Sequence, residues 1–219
     1  MLIRQRWLFA LILSILLSLA WVGVTTSAES SDAAYPSDFV ERDYSEITRL
    51  PLRHSGIKVQ GSRLHIGRIS DWLDLIRAVP HGRKTVDAIL ASGNVLTIRS
   101  SPWALHASGR TLAPVTADLI NGRGAEVEIL FDARIPDRGS HQVYGEANRL
   151  IEFTAVQNLY HELAHAKHLT NGTWRYYNSE AQAIEEENLF RKQLSEVQGR
   201  TTVAYRTSMK GVQFWWPKN

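Results

Sequence analysis

Residues 159–169 read LYHELAHAKHL, and the spacing of apolar and histidine positions there constrains the fold more than any other stretch of the chain. The pattern predicts one helix from about Arg149 to Asn171. Phe153, Val156, Tyr160, Leu163 and Ala164 form a stripe at helical spacing, suited to burial in a core. His161 and His165 stand one turn apart along the axis and about 40° apart around it, beside that stripe. A helix patterned in this way is packed into a domain while its histidines line a cleft.

Two imidazoles so placed can reach a single ion. Glu162 sits next to that ion without being positioned to ligate it, and can hold and deprotonate a metal-activated water, as in His-Glu-x-x-His zinc hydrolases. His168 falls on the same face, about 10 Å from His161 along the axis. It is expected to line the cleft, cap the helix or serve at the surface rather than bind metal. A catalytic zinc needs a third protein ligand and one open position. Asn171-Gly172 reads as a left-handed helix cap, and Ser179 with Gln182 as a capping box that opens a second helix, EAQAIEEENLFRKQLSEV. That helix offers Glu180, Glu185, Glu186 and Glu187. Glu180 and Glu187 share its inward face with Ala183 and Ile184, whereas Glu185 and Glu186 point to water. Reflecting the histidine pair through a turn centred near Arg175 favours Glu187.

The remainder of the chain supplies an α+β domain. IKVQGSRLHI (57–66) alternates as a strand, and Ser70-Asp71 opens a helix, DWLDLIRAV, that ends before Pro80. KTVDAILAS follows as a short helix, then VLTIRS (95–100) as a strand. Residues 101–125 read mostly as loop, and Ala125–Ala133 as the best strand of the chain, expected at the sheet edge where an extended peptide pairs. Residues 1–28 have Arg4 and Arg6, an apolar run over 7–24 and a small-residue end at Ala28, the layout of a secretory signal peptide. A secreted or periplasmic location follows; the alternative is an uncleaved segment that anchors the protein in a membrane. Residues 29–55 read as a linker or arm, leaving 56–219 as the domain. With no cysteine in 219 residues, disulfides, thiol catalysis and thiolate metal sites are excluded. Setting Arg4 and Arg6 aside leaves a net charge of about +1, which does not point to nucleic acid.

The block HELAHAKHLTNGT, followed by SEAQAI and ENLFR and by a later Arg and Tyr, resembles the bacterial effector-protein zinc metallopeptidase family, and more distantly the clostridial neurotoxin light chains. The resemblance covers roughly residues 57–206. It implies a zincin-like metallopeptidase domain with a small sheet, an HExxH helix and a following Glu-bearing helix, acting on a protein or peptide substrate. It implies zinc on His161, His165 and Glu180, with Glu187 as a supporting carboxylate. Gln182-Ala183 stands where the family carries Arg-Thr. Tyr205, with Arg200 or Arg206, becomes the candidate oxyanion stabiliser, ahead of Tyr176 and Tyr177. The expected function is an exported zinc endopeptidase with Glu162 as general base; the alternative is an inactive zinc-binding or membrane-anchored interaction protein.

Overall fold

A computed structural model of the chain describes residues 56–101 and 109–208 in full, together with the backbone of 39–43 and 213–214. All of these belong to one unit, Pro36–Asn219. The apolar run over 7–24 lies outside them, and among the described residues no helix is long and apolar enough to cross a membrane.

Strand β1 (Phe39–Asp43) falls within the stretch read as an arm and pairs antiparallel with β2 (Gly56–Ser62). Helices α1 (Arg63–Ala78) and α2 (Pro80–Ala91) then cross over to β3 (Val95–Ser100), which is parallel to β2. Next come β4 (Gly109–Leu112) and β5 (Val127–Phe131). The five strands are ordered β1-β2-β3-β5-β4, with parallel β2, β3 and β5 flanked by antiparallel edges. Two short strands, β6 (His141–Tyr144) and β7 (Leu150–Glu152), join β8 (Gln213–Phe214) in a second sheet, β7-β6-β8. Between β7 and β8 come helices α3 (Ala155–Thr170) and α4 (Ser179–Val197).

Alternation places Ile57, Val59, Leu96, Ile98, Val127, Ile129 and Phe131 on one face of the larger sheet, where the helices cover them. Ile69, Leu73 and Ile76 of α1 and Val86, Ile89 and Leu90 of α2 complete this core together with Leu159, Tyr160 and Leu163 of α3. Tyr160 links three helices. Its ring stacks on Phe190 of α4 at 4.0 Å between centroids, and its hydroxyl meets Thr85 of α2 at 2.9 Å.

Several boundaries differ from the sequence reading. Helix α1 starts at Arg63, where the Ser62 hydroxyl caps it by accepting from the His65 amide; strand alternation and helical spacing overlap across 63–66. Pro80, whose fixed φ suits a first helical turn, starts α2 four residues earlier than expected. Helix α3 begins at Ala155 rather than near Arg149. Thr154 and Gln157 form its capping box, and Leu150–Glu152 pair with β6 instead. The expected box at Ser179 is replaced by an N-cap at Asn178 without a side-chain bond. Finally β5, expected at the sheet edge, lies inside it; the edge is β4, in the stretch read as loop.

Candidate metal centre

The two imidazoles converge as the helical spacing requires. His161 Nε2 lies 3.4 Å from Glu180 Oε2, and His165 Nε2 lies 3.2 Å from Glu180 Oε1. One donor atom from each of the three residues falls within 4.8 Å of the other two, and no other such cluster occurs among the described residues. Glu180 reaches them from the first turn of α4, after a turn that leaves α3 through Gly172 at φ 65°. A side chain at Gly172 would stand 2.6 Å from the backbone of Asp118, Gly122 and Arg123, so only glycine fits the turn.

Glu187, two turns further along α4, takes a different place. It is fully buried, and its Oε2 accepts from His161 Nδ1 at 3.1 Å, leaving Nε2 turned to the cluster. Arg191 Nε donates to the other oxygen at 2.6 Å, and Arg206 Nη1 to Oε2 at 3.2 Å. Burial works against a charged Glu187, but Arg191, His161 and Arg206 hold its carboxyl well below the usual range. Hydrogen bonds from His161 and His165 lower Glu180 in the same way. Burial disfavours the His161 cation, yet bonding to Glu180 and Glu187 outweighs it and raises the imidazole. Asn188 contributes to the same assembly: its amide exchanges two 2.8 Å hydrogen bonds with the backbone of Arg206.

A cavity of about 420 Å³ opens over the cluster. Phe153, His161, Glu162 and His165 line it from the α3 side, and Trp174, Ser179 and Glu180 from the turn and α4. Gly109, Arg110 and Thr111 of β4 form the facing wall. Glu162 is 7% exposed, and the Thr111 hydroxyl donates to its Oε2 at 2.6 Å. Gly109 permits this approach, since a Cβ there would lie 2.6 Å from Glu162 Cγ. Neither β4 residue was singled out from the sequence; the Gly-x-Thr pattern carries no signal until the strand is known.

The other candidates lie elsewhere. Arg206 lines the cavity, whereas half-buried Tyr205 and exposed Arg200 are not on its wall. His168 Nδ1 bonds Thr173 Oγ1 at 2.8 Å and takes no part in the cluster. Glu185 is exposed and pairs with Arg175 at 3.4 Å. Glu186, expected to face water, is held by His81 Nε2 at 2.7 Å and Lys167 Nζ at 2.6 Å. Tyr176 and Tyr177 sit in the turn between α3 and α4.

A mixed sheet, an HExxH helix against it and a following helix that delivers a glutamate to both histidines make up a zincin-like α+β fold. The family model Peptidase_M91, described as effector protein, matches residues 53–198. No curated protein matches the chain. Among solved structures, the botulinum neurotoxin serotype HA light chain is similar with a TM-score of 0.38 and 10% identity, over 65% of this chain and 52% of that one. The chain thus spans about half the length of that light chain.

Proposed function

Because the chain belongs to the Peptidase_M91 effector-protein family, we propose that it is an exported zinc metalloendopeptidase, with zinc on His161, His165 and Glu180 and with Glu162 as general base. The observation that carries this reading is the meeting of both imidazole Nε2 atoms at one carboxylate, with Glu162 on the wall of the same cavity. Two imidazoles and a carboxylate fit zinc and leave its fourth position open. Zinc held there supplies Lewis acidity, which makes water acidic enough to attack near neutral pH and polarises a scissile carbonyl.

The remaining roles belong to the chain's own groups. Glu187 keeps His161 in the tautomer that offers Nε2. Thr111 occupies one oxygen of Glu162, leaving the other to take the proton of the attacking water and pass it to the leaving amine. Oxyanion stabilisation falls to Arg206, which is on the cavity wall; Tyr205, the candidate of the family resemblance, lies off that wall and would share the task only by turning toward it. The substrate is a protein or peptide, whose extended backbone adds to the outer edge of β4 along the cavity rim. Residues 1–28 direct export to a secreted or periplasmic location, or anchor the chain if retained; 29–55 connect and lend β1 to the sheet of the catalytic domain, which 56–219 otherwise form.

The test compares wild type with Glu162→Gln, which keeps the shape and removes the base. Zinc content near one per chain and thermal stability should be unchanged, while cleavage of a diverse peptide library falls by at least roughly 10² to 10⁴-fold. Equal cleavage by the two proteins would remove the mechanism. A folded, zinc-loaded but inert wild type would favour the non-catalytic zinc binder.

A further inference from the structure

The turn between α3 and α4 is fastened on every side. The Thr173 amide donates to the His168 carbonyl at 2.9 Å, and its hydroxyl meets the His168 ring at 2.8 Å. Gln182, 5% exposed, donates to the Thr173 carbonyl at 3.0 Å and accepts from the Arg175 amide at 3.1 Å. The Trp174 amide donates to the Leu119 carbonyl at 2.9 Å, and Asn178 closes back on Arg175 at 2.9 Å. A segment tied in this way holds its side chains in place.

What it holds outward is aromatic. Trp174 lines the cavity, its ring meets Tyr176 edge to face at 5.1 Å, and Tyr176 meets Tyr177 at 5.0 Å. Tyr176 is 59% exposed and Tyr177 93%. Three rings thus run from the cavity wall onto the surface. A single exposed tyrosine would be unremarkable, but adjoining rings on a pre-ordered loop offer large contact area at little entropic cost.

We propose that Trp174, Tyr176 and Tyr177 form a substrate subsite that takes a bulky apolar side chain of the bound peptide. The position of the subsite rests on the peptidase reading, since the rings continue the wall of that cavity. Aromatic faces also attract cations, but the surrounding charge opposes one here. Arg110 lies exposed on the facing wall. The nearby carboxylates are engaged, Glu185 by Arg175 and Glu180 by the two histidines. An apolar side chain meets no such repulsion. His168 and Gln182 then act as positioning residues that fix the turn.

The experiment measures binding separately from turnover. Fluorescein-labelled peptides with an alanine background, carrying Phe, Leu, Lys or Glu at each position in turn, are titrated by anisotropy onto full-length Glu162→Gln. Phe and Leu at one position should tighten binding roughly tenfold over the all-alanine peptide. Tyr176→Ala with Tyr177→Ala should erase that preference while zinc content and melting temperature stay as they were. No peptide binding, a best response to Lys, or an apolar preference that survives the double substitution would overturn the subsite. A wild type that cleaves nothing while the apolar preference persists would sink the peptidase reading and leave the subsite standing; cleavage without the preference would do the reverse.

Discussion

Glu180 and Glu187 lie seven residues apart on one helix, yet they meet opposite sides of the same imidazole. The first touches Nε2, where an ion would sit; the second touches Nδ1 and sets the tautomer. Glu180→Ala should therefore abolish zinc retention, whereas Glu187→Ala should keep zinc at an affinity lowered roughly 10 to 100-fold. Zinc titration with a competing chelator separates the two, and the reverse order would reassign the third ligand. The histidine pair and Glu162 were legible in the sequence because helical spacing alone brings them together. The choice of glutamate was legible through the family resemblance, which pointed to Glu180, and not through hairpin geometry, because it depends on where α4 crosses α3: the first turn of α4 passes the histidines, so the mirror-image hairpin that favours Glu187 does not hold. The Glu187-Asn188-x-x-Arg191 block becomes intelligible only in three dimensions, where Glu187 supports His161, Asn188 supports Arg206 and Arg191 supports Glu187.

Among the elements, β3, β5 and the C-terminal ends of α1 and α2 were readable from periodicity and from Pro80, and α4 was readable almost to the residue. The second sheet and β4 were not. Their strands are two to four residues long, too short for alternation to register, and β4 and β8 pair with neighbours distant in sequence. Residues 149–153 look helical beside α3, yet the Thr154–Gln157 box marks the boundary. The contact between β4 and α3 carries its own expectation. Thr111→Val removes the hydroxyl that ties the strand to Glu162 while preserving the strand's branched side chain. Zinc content and folding should be retained, and kcat should fall roughly tenfold or more with KM little changed, since a hydrogen bond to a charged group is worth about 1.5–3 kcal/mol. Unaltered kcat would show that Glu162 needs no such support.

At the scale of the whole molecule, stability should respond to acid through His65. Its ring is 4% exposed, and neither nitrogen has a partner among the described residues. Burial pushes its pKa down to about 4 from the ordinary 6.5, with Asp132 pulling the other way. The folded value lies below the unfolded one, so the unfolded chain binds more protons between them. This contribution is therefore complete above about pH 6.5 and is lost as pH falls toward 4, by on the order of 3 kcal/mol. Urea unfolding at pH 7.5 and 4.5 should show a smaller decline for His65→Leu than for wild type, and parallel declines would count against it. The mixed sheet has one further consequence, through the outer edge of β4. If a peptide pairs there as proposed, it can do so only with a backbone that has given up its own internal hydrogen bonds, so a target's helices and sheet interiors would be refused whatever residues they carry. On that reading conformation would be screened before sequence, and a folded target would set its own clock, cut no faster than the vulnerable stretch breathes open.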